Sequence, residues 1–258
     1  RNLGGDAILH QNVASDAKTL TTRVKMTRVS TAADMIIEHF RFQMMQSDQP
    51  IYEGNTDFGF FSEETLTKQI GIRNTEPLNY EPTSVELKEG RRHVFVDTRP
   101  LTPADARSHP SNSTKPGLTM PSKALRMIDQ IDVYVPSGGH AGLGFIRGTK
   151  VNDPNEWFFN AHFYLDPVWP GSLGIEAFYQ LLKFIALFRW ENFRDTHTFA
   201  LMTTKQHNWT YRGQVIPTNK MITVEAVVTH VEDSSNPILK ADGLLKVDGR
   251  YIYKMENF

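Results

Sequence analysis

Cysteine is absent from the 258 residues, which excludes disulfide frameworks, thiolate metal sites and thiol nucleophiles together and fits a reducing cytoplasm. An excess of charge of either sign is also lacking. With 28 Lys and Arg against 29 Asp and Glu, the net charge is −1, so no basic field is available to hold a nucleic-acid backbone. No unbroken apolar run reaches membrane-spanning length. The most apolar stretch, 173–188, is interrupted by Glu176, Gln180 and Lys183 and reads as a buried core helix. The histidines other than His162 show no metal-ligand spacing with nearby carboxylates, and the glycines at 138, 139, 142 and 144 lead into no phosphate loop. A signal peptide is not visible, and the chain opens on Arg1 without a methionine, so it is expected to be cut from something longer.

What remains is ordinary globular material, 40% hydrophobic and 22% charged, long enough for one large domain or two modest ones. Residues 19–30, 34–46 and 51–61 are β-rich. Ser62 then caps a short helix with Glu63 and Glu64 in its first turn and Gly71 beyond its end. From about 75 to 121 the pattern weakens, and five prolines around SHPSNSTKPG predict an exposed linker. A denser unit follows: a short amphipathic helix over 124–131, strands over 132–136, 143–150 and 157–163, and a central helix from Pro170-Gly171 to about Arg189. Four more strands fit 199–211, 220–232, 237–247 and 250–256. One long helix among antiparallel strands is an α+β plan.

A weak internal repeat links the two parts. Thr27-Arg28-Val29 recurs as Thr229-His230-Val231, and Ile51-Tyr52 as Ile252-Tyr253, at spacings of 202 and 201. This predicts that residues 1–61 are the closing strands of an earlier, related unit whose helix lies upstream. The expected domains are a partial, non-catalytic unit at 1–80, a Pro-rich linker at 81–120, and a catalytic unit at 121–258.

The chemistry-bearing segment is WFFNAHFYLDPVWPGSLGIEAFYQ, residues 157–180. It places His162 at the end of an aromatic stretch, then a turn with Asp166-Pro167, then a helix that is apolar on nearly all sides. Asp166 and Pro167 are expected to serve the turn. Glu176 sits near the start of that helix, where a carboxylate is rarely buried without a partner or a task. An apolar setting would raise its pKa, as suits a proton donor. Free N–H groups at the helix start can polarise a carbonyl oxygen. Imidazole, carboxyl group and helix end together suit proton removal beside a carbonyl. Taken singly, a histidine among aromatics is more often a core residue, and a glutamate at a helix start more often answers the dipole.

The whole string, HFxxDPVxPGSLGxEAxxQ over 162–180, resembles the active-site signature of the FabA-like 3-hydroxyacyl-ACP dehydratases. It is most similar to the dehydratase regions of polyunsaturated fatty acid and polyketide-type synthases. Residues 209–217 resemble the family's WxxRGQVxP strand, 247–253 its closing hairpin and 124–129 its first helix. Tyr52-Glu53-Gly54-Asn55-Thr56 and Phe58-Gly59-Phe60-Phe61 resemble the partner segment that precedes such dehydratases. The resemblance implies a hot-dog fold, a long helix wrapped by an antiparallel sheet, here a double hot-dog with an incomplete first unit.

It further implies dehydration of (3R)-hydroxyacyl-ACP to trans-2-enoyl-ACP. His162 matches the base at C2, Glu176 the acid at the C3 hydroxyl, and Gly171 the amide that binds the thioester oxygen. Phe163, Val168, Trp169, Ser172, Tyr179, Gln180 and Arg212 are the expected substrate-binding residues. No metal or organic cofactor is implied, since the substrate rides on the phosphopantetheine of an acyl carrier protein. The implied partners are that carrier, other synthase domains, and a second copy or an upstream hot-dog unit, with neither nucleic acid nor membrane. Glu176 stands where the isomerising bacterial enzymes carry Asp, Ser172 where Cys is common, and Trp169 where Met or Cys is frequent. In this family the histidine and the acid of one site come from different hot-dog units, whereas this chain offers one such pair. The rival readings are an acyl-thioesterase on the same fold and a non-catalytic acyl-binding module.

Overall fold

The computed structural model describes residues 1–13, 19–32, 35–75, 78–95 and 117–258. Four strands open the chain: β1 (Asn2–Leu9), β2 (Leu20–Ala32), β3 (Met35–Gln46) and β4 (Gln49–Phe60). The short helix α1 (Glu63–Thr67) is capped as expected, with the Ser62 hydroxyl accepting from the Thr65 N–H. Then follow α2 (Ser84–Glu89), β5 (Arg91–Val94), β6 (Gln130–Val135), β7 (Phe145–Val151), α3 (Trp157–Ala161) and α4 (Gly171–Arg189). Strands β8 (Gln206–Tyr211), β9 (Met221–Glu232), β10 (Ile238–Val247) and β11 (Arg250–Glu256) complete the chain.

The eleven described strands form one sheet, in the order β2-β3-β4-β1-β8-β11-β10-β9-β7-β6-β5. Helix α4 lies against β7, β9 and β10. Its Phe178, Leu181 and Ile185 pack with Val224, Ala226, Val228 and Leu245 in the main core. Full burial of each such large side chain contributes roughly 1.5–3 kcal/mol. Although α4 is long and apolar enough to cross a membrane, here it is the core helix around which the sheet wraps. That is the hot-dog arrangement.

The sheet is internally symmetric about the β1·β8 seam. Asp6 faces Asn208 at its centre, with Gly5 opposite Trp209 on one side and Ala7 opposite His207 on the other. Outward from the seam, β1-β4-β3-β2 mirrors β8-β11-β10-β9. The irregularities match as well. Thr27 is the unpaired bulge residue between β2 and β3, and Thr229 is its counterpart between β9 and β10. Ile51 bulges between β3 and β4, and Ile252 between β10 and β11. Such bulges are specific features, each bending and twisting its strand.

Three sequence expectations are corrected. The linker read from 81 onward begins with ordered elements. Thr83 and Glu86 form a reciprocal capping box that starts α2, and β5 pairs with β6 as the sheet edge. The prolines at 100, 103, 110 and 116 lie outside the described residues. The helix expected over 124–131 is a single 3-10 turn, Lys123–Leu125, because 130 onward is drawn into β6. The strand expected over 157–163 is the helix α3. Its consecutive aromatics have β propensity, but Phe158 and Phe159 are neighbours and both pack into one core, which the alternation of a strand would not allow.

Candidate active site

A cleft of about 660 Å³ opens where β1 and β4 of the first strand set meet α4 and the loop before it. Such a volume is typical for a small-ligand site. His162 reaches it from the C-terminal end of α3, where its backbone N–H still bonds to the Phe158 carbonyl. Its ring stacks on Phe163 with centroids 4.0 Å apart. Its Nδ1 lies 3.0 Å from the Val168 carbonyl oxygen. A carbonyl only accepts, so Nδ1 carries the proton and Nε2 keeps the basic lone pair.

Helix α4 starts at the same cleft. Pro170 occupies the N-cap position with a non-helical backbone and Gly171 is the first helical residue, so the Gly171 N–H has no partner within the helix. A Cβ at Gly171 would collide with the Tyr211 hydroxyl and lie 2.7 Å from Tyr211 Cζ. The next glycine of the helix is equally confined, for a Cβ at Gly174 would lie 2.7 Å from Tyr253 Cε1. These close approaches bring the helix end down onto β8 and β11.

Of the residues expected at the site, His162, Gly171, Phe163, Val168, Trp169 and Ser172 all line this cleft. Glu176 does not. Its Oε1 accepts from Gln180 Nε2 and Lys183 Nζ, each at 3.0 Å, on another face of α4. The apolar setting expected for its carboxyl is therefore replaced by two donors, one of them a cation. Gln180 is fully buried and structural: its Oε1 accepts from the Met127 N–H and its Nε2 donates to the Leu125 carbonyl. Tyr179 packs on Phe258, away from the cleft, and burial pushes its pKa up to about 12. Arg212 donates to the Leu3 carbonyl across the β1·β8 seam and is likewise outside the cleft.

The sequence reading missed several lining residues. Tyr211, Tyr253 and Trp209 come from β8 and β11, while Arg1, Asn2 and Phe58 come from the first strand set. The guanidinium of Arg1 holds Asp166 in a two-pronged ion pair and also bonds Gln214 Oε1 at 2.7 Å. The Arg1 bond keeps the Asp166 carboxyl below its ordinary pKa. Trp209 Nε1 donates to Asn2 Oδ1 at 3.0 Å. The only advance signal for these contacts was the repeat, which placed both strand sets in one architecture without giving their register. Among the described residues, no group of three or more His, Asp or Glu is placed to hold a metal ion.

Comparison with known proteins follows the same outline. The family model described as FabA-like domain matches residues 120–256. A polyunsaturated fatty acid synthase subunit of Thraustochytrium sp. is 32% identical over 264 residues, which span all of this chain and 17% of that protein. The chain thus spans about a sixth of the length of this curated relative. Among solved structures, the dehydratase domain of RzxB from Pseudomonas fluorescens aligns at TM-score 0.48 and 13% identity, over 100% of this chain and 74% of that one. The acyl-CoA thioesterase II TesB2 of Mycobacterium marinum aligns at TM-score 0.46 and 11% identity, over 99% and 78%. Neither likeness is strong enough to argue chemistry.

Proposed function

The chain belongs to the FabA-like domain family, and from that membership we propose that it dehydrates (3R)-hydroxyacyl thioesters to trans-2-enoyl thioesters, carried on an acyl carrier protein within a larger synthase. One observation carries the reading: the basic nitrogen of His162 and the open N-terminus of α4 share a single apolar cleft. A thioester whose oxygen rests on the Gly171 N–H would present its C2 proton to an imidazole. Proton removal there moves charge onto the thioester oxygen, where a helix end stabilises it. The apolar walls, Phe163, Val168, Trp169 and Ile175 among them, suit the acyl chain.

The departing C3 hydroxyl needs a proton, and family resemblance assigns that task to Glu176. Since Glu176 lies off the His162 cleft, the pair does not complete one site within these residues. The reading is that two hot-dog units share their sites: a carboxylate from the second unit's helix meets His162, and Glu176 meets that unit's histidine. The symmetry of the sheet supports it. The face of β9-β10-β11 that α4 covers has a counterpart on β2-β3-β4, where Val24 is 61% and Met26 47% exposed beside Phe40 and Phe42. That face has room for a matching helix.

The test is product identity. Crotonyl-pantetheine given to the full-length protein should yield 3-hydroxybutyryl-pantetheine, the easy reverse of dehydration. Release of free crotonic acid with no hydration would make the chain an acyl-thioesterase. Neither product, with the thioester still bound, would make it an acyl-binding module.

A further inference from the structure

Beyond His162 and Gly171, the cleft wall contains polar atoms that the described residues leave unsatisfied. Trp169 Nε1 and the hydroxyls of Tyr211 and Tyr253 are buried there, and among the described residues none has a partner of good hydrogen-bond geometry. The two phenol rings pack on each other with centroids 4.0 Å apart. An unsatisfied buried hydroxyl is destabilising, and phenylalanine would fill either position without that cost. Tyr211 is also the side chain pressed against Gly171, its hydroxyl being the nearest atom to where a Cβ would stand. The orphan hydroxyl therefore sits beside the orphan N–H that begins α4.

Resting on the dehydratase reading above, we infer that Tyr211 is a further catalytic residue: its hydroxyl and the Gly171 N–H form a two-donor site for the thioester carbonyl oxygen. As His162 Nε2 takes the C2 proton, the C2–H electron pair forms the C1–C2 double bond. The carbonyl π pair moves onto oxygen, between the two donors. When that enolate collapses, the C2–C3 double bond forms and the C3 hydroxyl leaves as water with a proton from the acid. Burial pushes the pKa of both phenols up, so each remains an O–H donor at neutral pH. Tyr253, behind Tyr211 and beside Gly174, holds the ring in place.

Tyr211→Phe in the full-length protein carrying Glu176→Gln as the parent, where turnover comes from the His162 site alone, tests this. Loss of one preorganised oxyanion donor typically slows turnover by about 10²–10³-fold. That fall in crotonyl-pantetheine hydration is expected with little change in KM and with thermal stability equal to or above the parent's. Tyr253→Phe should be much milder. A Tyr211→Phe variant that turns over like the parent, or one that loses activity only in step with lost stability, would overturn the inference. Should the protein without substitutions hydrate nothing, the dehydratase reading fails and this inference falls with it.

Discussion

At His162 a single contact fixes the orientation of the ring. The Val168 carbonyl accepts from Nδ1 at 3.0 Å and leaves Nε2 facing the cleft without that bond, an arrangement hidden from a sequence in which the two residues are simply six apart. The histidine itself was legible, because the string around it is specific; its carbonyl partner and the orphan phenols were not, since both depend on how strands pack. Gln180 shows the opposite error. Sequence resemblance placed it at the substrate, but its amide joins α4 to the segment before β6. Gln180→Ala should therefore lower stability by about 1–3 kcal/mol by stranding a buried N–H and a carbonyl, measurable as a lower urea midpoint. A rise in KM with unchanged stability would restore the substrate role.

His207, on the β1·β8 seam, makes a separate prediction. Its Nε2 lies 3.0 Å from the Tyr52 hydroxyl, and the tyrosine, with a pKa raised to about 12 by burial, is the donor. Burial lowers the His207 pKa below its ordinary 6.5, with the Asp6 charge opposing. As pH falls below 6.5 the unfolded chain takes up a proton that the folded chain resists, so stability declines until the folded pKa is passed and then levels off. Urea midpoints between pH 7.5 and 5 should fall more for the parent than for His207→Gln. Equal falls would assign the pH dependence to other groups.

At the scale of elements, long periodic segments were legible and short ones were not. Helix α4 was expected to begin at Pro170-Gly171 and end near Arg189, and it does so. Its apolar residues recur at core spacing, and proline followed by glycine leaves few other starts. The five-residue α3 was misread because its aromatics favour strands when tertiary contacts are unknown. Strand β1 escaped notice since its two adjacent glycines and Asp6 weaken the β signal. The packing of α4 on β8 offers a direct check. Gly171→Ala drives a methyl into Tyr211, and overpacking of this kind costs about 1–3 kcal/mol. Removing the hydroxyl should relieve part of it, so Gly171→Ala and Tyr211→Phe should couple by more than about 0.5 kcal/mol in a double-mutant cycle. Strict additivity would mean that the helix end does not rest on that tyrosine.

At the scale of the whole molecule, the repeat seen in a handful of residues has a structural cause. The two matched segments coincide with the two repeated irregularities of the sheet, the bulges at Thr27 and Thr229 and at Ile51 and Ile252. The rest of the repeat is silent in sequence because one strand set covers a core helix and the other presents its equivalent face uncovered. If a second hot-dog helix seats there, the thiol of Met26→Cys should react slowly with maleimide in the full-length protein and rapidly in residues 1–258 alone. Equal rates would leave that face without a cover.

The central claim is that His162 and Glu176 serve the same reaction from separate shared sites, and it is tested most directly by turnover of the full-length protein. Crotonyl-pantetheine hydration should be measured for the parent, His162→Ala, Glu176→Gln and the double variant under identical conditions. Each single variant, which keeps the other site, should lose about half the turnover, and the double variant should fall by at least about 10²-fold, with folding intact. A single variant as inactive as the double, or a double variant as active as the parent, would contradict this.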